Sequence, residues 1–154
     1  MKNTITHVSI LLVSITCFIS AGNAACLDPK TFVSGYQIPI TEEIMASEII
    51  ATGEVVKSKD LQEDQSNPDE ITATIYTIQL SKKLKGNLPN VVELKSDNDS
   101  GRYWMETGEL HLLFLHKEKT YYKVDSCGNS SSLPKGNDVL KRVEIELAKS
   151  GNKP

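Results

Sequence analysis

Aromatic side chains make up 6% of this 154-residue sequence, which has one tryptophan, three histidines and three cysteines. Each scarcity excludes something. His111 and His116 are the only histidines after the first ten residues. They lie five apart in one alternating segment, so a strand sends them to opposite faces and they cannot share a metal. Ser130, Ser131 and Ser132 are not accompanied by a Gly-x-Ser-x-Gly elbow. No nucleophile, base and orienting group can be named together, so a non-enzymatic protein without a cofactor is expected. The carboxylates Asp97, Asp99, Glu106 and Glu109 fit no calcium-loop spacing and read as solvated turn residues. Basic charge is also short, with 17 Lys and Arg against 20 Asp and Glu for a net charge of −3. The lysines are scattered, which speaks against a nucleic-acid partner.

Long apolar runs are confined to the start. Lys2 precedes the apolar stretch Val8 to Ile19, and the small residues Ser20 to Ala25 follow. About a dozen apolar residues are too few to cross a bilayer as a helix, but they suit the apolar region of a secretory signal. Residues 1–24 are therefore expected to be a cleaved leader on an exported protein, secreted or periplasmic, with no transmembrane span. Gly22 and Ala24 supply the small residues wanted before a cut, so the mature chain would begin Ala25, Cys26. Ala24-Ala25-Cys26 also resembles the end of a lipobox, although Asn23 stands where leucine is usual, so a lipid anchor on Cys26 is the alternative.

Cys17 falls inside the leader, which leaves Cys26 and Cys127. In an oxidising compartment two cysteines are most economically read as a disulfide. Closing a loop of about one hundred residues is worth roughly 4 to 5 kcal/mol in the chain-entropy account. A lipidated Cys26 with a free Cys127, or two independent thiols, are the other arrangements.

Roughly 130 residues remain, the size of one domain. Tyr36 to Ile40 reads as an extended arm because Pro39 interrupts it, and Thr41-Glu42-Glu43 starts a short helix through Ser47. Glu48 to Ser58 is a β-branched strand with a bend at Gly53. Lys59 to Glu70 is an acidic, exposed connection. Ile71 to Leu84 alternates as a second strand, Lys85-Gly86-Asn87 turns, and Val91 to Lys95 is a third. Glu109 to His116, with Leu110, Leu112 and Phe114 on one face, and Thr120 to Asp125 pair as a hairpin across Lys117 to Lys119. A Ser-rich loop covers Gly128 to Pro134. From Asn137 the residues Val139, Leu140, Val143 and Leu147 recur at helical spacing. The expected fold is mainly β: a five-stranded OB-fold-like closed β-barrel over residues 25–135, with a C-terminal helix and tail over 136–154 packing on it.

Trp104, beside Tyr103, is expected to plug a barrel end, with a ligand platform as the alternative. Asn98-Asp99-Ser100 and Asn129-Ser130-Ser131 match the glycosylation pattern.

Several short motifs share an order. Cys26 follows the expected leader, Ala46 to Val55 has the form A-x-x-I-x-x-x-G-x-V, and the second strand ends Leu84-Lys85-Gly86. Gly108 to Phe114 has the form G-x-x-x-L-L-F, and Cys127-Gly128-x-Ser130 comes after the fifth strand. In this order the chain resembles the TIMP-like, or netrin-like, OB-fold family: the inhibitory domain of tissue inhibitors of metalloproteinases and small exported bacterial relatives. The resemblance implies that Cys26 and Leu27 form a terminus that contacts the zinc of a metalloprotease, with Cys127 as the disulfide partner of Cys26. An N-terminal amine and its carbonyl can displace zinc-bound water, and the disulfide would preorganise them. The family's Cys-x-Cys start is Cys26-Leu27-Asp28 here. The other expectation is an interaction or adhesion-type module that holds another protein or a glycan, with Cys26 purely structural.

Overall fold

A computed structural model describes residues 26–99 and 101–151. The expected leader, its expected cleavage point and Ala25 lie outside the described residues. The order of elements is α1 (Ile40–Ala46), β1 (Ile49–Leu61), β2 (Ala73–Lys85), β3 (Val91–Asp97), β4 (Leu110–Glu118), β5 (Tyr121–Lys123), β6 (Ser131–Ser132) and α2 (Asn137–Gly151). The fold is mainly β, one six-stranded sheet with a C-terminal helix. No described helix is long and apolar enough to cross a membrane.

β1 organises the sheet. Its N-terminal half, Ile49 to Glu54, pairs antiparallel with β4, while Ile50 to Leu61 pairs antiparallel with β2. β2 pairs antiparallel with β3, β3 pairs parallel with β5 through Leu94 and Tyr122, and β5 returns antiparallel to β4. The pairings therefore run in a circuit, β1-β2-β3-β5-β4-β1, and β6 pairs antiparallel with β4 at His111 and Leu112. To serve two neighbours β1 must bend, and its register with β2 slips at Thr52/Gly53 and at Val55/Lys57. Gly53 is where the backbones come closest. A Cβ there would stand 2.6 Å from Ile78 Cγ2 and 3.0 Å from the Gln79 carbonyl, so only glycine fits without displacing β2.

Alternation along β4 splits the core in two. Leu113 and Leu115 join Ile49, Ala51, Val55, Tyr76, Ile78, Leu94 and Met105 in one cluster. Leu112 and Phe114 point the other way and pack with Ile50, Ile40 and Ile44 of α1, and Val143 of α2. A strand buried on both faces explains the nearly unbroken run Leu110 to Leu115. The apolar stripe Val139, Leu140, Val143 and Leu147 seats α2 on the second cluster. On α2 itself only Val143 is fully buried.

Three sequence expectations need correction. β1 continues through Lys59, Asp60 and Leu61, because these residues still pair with Ile75, Thr74 and Ala73. The exposed connection is correspondingly shorter. β3 runs on to Asp97, and Ser96 is buried with its hydroxyl donating to the Tyr103 carbonyl at 3.1 Å. The Ser-rich loop contributes β6, a sixth strand of two residues that His111 and Leu112 of β4 hold in register. Leu110 is exposed at the start of β4, whereas Leu112 and Phe114 on one face and Leu113 and Leu115 on the other are all buried.

Candidate functional site

The disulfide joins Cys26 to Cys127 across 101 residues, with their Cα atoms 5.5 Å apart. It brings the first described residue against the loop after β5. Backbone bonds extend that contact: Tyr36 N donates to the Cys26 carbonyl at 2.8 Å, and Ile38 N donates to the Cys127 carbonyl at 2.9 Å. Leu27 bridges to Ser34, so residues 27–34 form a small closed loop. Asp28 organises it. Its carboxylate accepts from Lys30 N at 2.7 Å and Thr31 N at 2.9 Å, and its carbonyl accepts from Phe32 N at 2.8 Å. These amide donors hold the Asp28 carboxyl below the usual carboxylate range. Phe32 occupies the left-handed region at φ 57°, uncommon for an aromatic residue, and its side chain is 75% exposed. Leu27 and Val33 are exposed beside it. The loop therefore presents three apolar side chains from a constrained backbone.

A buried clamp lies beneath this arm. Glu43 of α1 is 1% exposed. Its Oε2 accepts from Asn129 N at 2.7 Å and from Asn129 Nδ2 at 2.6 Å, and Nδ2 also donates to the Ile38 carbonyl at 2.8 Å. Glu43 Oε1 is buried with no hydrogen-bond partner. Burial pushes the Glu43 carboxyl up, Asn129 pulls it down, and the charges of Asp125 and His116 act in opposite senses. Gly128 lies directly over this carboxylate, where any Cβ would collide with Glu43 Oε1. Sequence reasoning missed the clamp. An acidic residue in a first helical turn looks like ordinary helix chemistry, and nothing local links it to an asparagine 86 positions away.

The other candidates fall elsewhere. His111 is 2% exposed, with Nδ1 3.0 Å from the Tyr103 hydroxyl and Nε2 3.2 Å from Glu109 Oε2. A carboxylate only accepts, so Nε2 carries the proton and Nδ1 accepts from tyrosine. Burial lowers the His111 pKa and raises that of Tyr103, which suits a neutral hydrogen-bonded chain. His116 sits on the opposite face of β4, partly exposed. Asp97 is an ion-pair centre in β3, not a solvated turn residue: Lys123 Nζ lies 2.7 Å from Oδ2 and Lys95 Nζ lies 3.6 Å from Oδ1. Asp99 accepts from Gly101 N. Glu106 is exposed. Ser130 Oγ accepts from Phe114 N at 2.9 Å, a structural bond that holds the loop on β4. Asn129 is buried in the clamp, so the second glycosylation match has no accessible side chain. Trp104 is the clearest reversal. Tyr103 and Met105 turn into the core and Trp104 turns out, 60% exposed, with the Arg102 guanidinium 4.2 Å from its ring centroid. Among the described residues, no three His, Cys, Asp or Glu side chains gather as a metal would require. The chain matches no protein-family model and no curated protein.

Proposed function

We propose that this chain is an exported, non-enzymatic binding module with a TIMP-like OB fold, which engages another protein through the arm that follows Cys26. The observation that carries this reading is the closed loop 27–34, pinned at Cys26 by the disulfide, with Leu27, Phe32 and Val33 exposed. An apolar group held rigidly in water is a prepaid contact, because little conformational entropy remains to be lost on binding. The circuit β1-β2-β3-β5-β4-β1 supports the OB-like part of the reading, since a five-stranded barrel of that type needs a final strand returning to the first. The disulfide supports an oxidising compartment, hence export.

Cys26 acts structurally in this reading. Its carbonyl already accepts from Tyr36 N, which turns one of the two groups required for zinc chelation toward the protein's own backbone. The second reading is inhibition of a zinc metalloprotease by Cys26 and Leu27. It is favoured by the position of Leu27, exposed immediately after the pinned cysteine.

Two measurements test the pair. A photo-crosslinker at Val33 gives a discrete adduct with a second protein in the exported fraction of producing cells, and the same group at exposed Lys141 gives none. Failure at Val33 overturns the arm reading. Protein beginning at Cys26 with a free amine, in excess over a panel of zinc endopeptidases, leaves their rates unchanged. Stoichiometric inhibition would restore the second reading.

A further inference from the structure

Around Trp104 three segments of chain build a fixed support that the arm does not use. Thr74 of β2 is buried, and its hydroxyl donates to Asp60 Oδ1 of β1 at 2.8 Å. The Thr74 hydroxyl oxygen accepts from Arg102 Nη2 at 2.8 Å, while Nη1 donates to Asn98 Oδ1 at 2.8 Å. Asn98 is itself tied back, with Nδ2 donating to the Ile71 carbonyl at 2.7 Å. The guanidinium is thus locked flat, and the indole lies against it. Arg102 Nε is buried with no partner, an unpaired charged donor that folding alone would select against. The most apolar surface on an exposed tryptophan would ordinarily fold down onto the protein. Here the cation occupies one face and leaves the other outward.

We propose that the outward face of Trp104 is a stacking platform for a neutral sugar ring. The reasoning is by chemistry of the ligand. The ring quadrupole already serves Arg102, so its outer face has less to offer a second cation. An apolar side chain from a protein partner is better anchored where its surroundings are dry. The side chains fixed on the Arg102 guanidinium are instead polar: the amide of Asn98 and the hydroxyl of Thr74. A pyranose matches both features, with a C–H face to lie on the indole and a rim of hydroxyls suited to polar surroundings. This surface belongs to residues other than the arm, so the platform stands or falls independently of the arm's partner.

The chain's single tryptophan makes the test specific, because fluorescence excited at the red edge, where the five tyrosines do not absorb, reports only this ring. The mature protein is titrated with soluble hexamers of N-acetylglucosamine, of β-1,4-linked glucose and of α-1,4-linked glucose. A saturable emission change is expected with at least one, with Kd of order millimolar or tighter. By calorimetry, Trp104→Ala abolishes that binding and Arg102→Ala weakens it about tenfold. Trp104→Phe retains part of it, and all three variants keep the wild-type circular dichroism. The proposal is overturned if no hexamer gives a saturable change, or if Trp104→Ala binds as tightly as wild type. It is also overturned if a neutral apolar hexapeptide saturates the signal and the sugars do not.

Discussion

Replacing Glu43 by glutamine separates the charge of the buried clamp from its hydrogen bonds. The carboxamide oxygen can still accept from Asn129 N and Nδ2, but it does not ionise. In wild type, burial raises the folded-state pKa of Glu43 above its ordinary 4.5. The native state therefore binds the proton more tightly than the unfolded chain. For a raised carboxyl, the associated stability is fully present below the unfolded pKa and is lost as pH rises through the folded one. Each tenfold difference in proton affinity between the two states is worth about 1.4 kcal/mol at neutral pH. Urea unfolding followed by circular dichroism at a series of pH values should show wild type losing stability relative to Glu43→Gln above pH 4.5. The difference should level off once the native carboxyl is fully ionised. Glu43→Ala separates the remaining term. It leaves two buried donors of Asn129 without this acceptor, at about 1 to 3 kcal/mol each. That loss should appear at every pH. If the wild-type and Glu43→Gln stabilities run parallel between about pH 4 and pH 8, Glu43 binds its proton equally well in the folded and unfolded states and the electrostatic argument fails.

Three other perturbations have definite signs. The double variant Cys26→Ser with Cys127→Ser should lose roughly 4 to 5 kcal/mol in urea unfolding, and dithiothreitol should reproduce the loss in wild type but add nothing to the variant. Gly128→Ala, which drives a methyl into Glu43 Oε1, should cost about 1 to 3 kcal/mol, and much of that should return in the Glu43→Ala background. Phe114→Ala empties the cluster between the sheet and both helices, so it should cost about 3 to 5 kcal/mol and lower the thermal midpoint more than any single change on exposed β1 residues such as Lys57.

What the sequence disclosed depended on how local the signal was. The long strands β1, β2 and β4 were legible because alternation and β-branching persist for many residues, and Gly53 marked the bend that lets β1 serve two neighbours. The cysteine pairing was legible because setting aside the expected leader leaves one combination. The shared face of Leu110, Leu112 and Phe114 was legible in β4, but not that Leu113 and Leu115 carry the other core. Two-sided burial is a property of what packs around a strand, which its own periodicity does not encode. β6 is two serines whose extended state comes entirely from β4. The Trp104 expectation failed for a related reason. Tyr103, Trp104 and Met105 lie outside any strand, so hydrophobicity alone did not decide which of them turned inward.

The staple and the clamp act on different states of the chain. The disulfide constrains mainly the unfolded ensemble, because it closes a loop spanning most of the domain. It fixes where Cys26 lies but leaves rotation about several bonds. Orientation of the arm comes from the native state: Tyr36 N on the Cys26 carbonyl, Ile38 N on the Cys127 carbonyl, and Asn129 held between Ile38 and Glu43. Asn129 is the joint, since one side chain satisfies the arm and α1 together. A loop that presents Phe32 rigidly therefore depends on a buried carboxylate more than ten positions along the chain. This accounts for the retention of an unpartnered Glu43 oxygen inside the protein, where an apolar residue would be cheaper to bury: an apolar side chain could fill the space, but it could not hold both donors of Asn129.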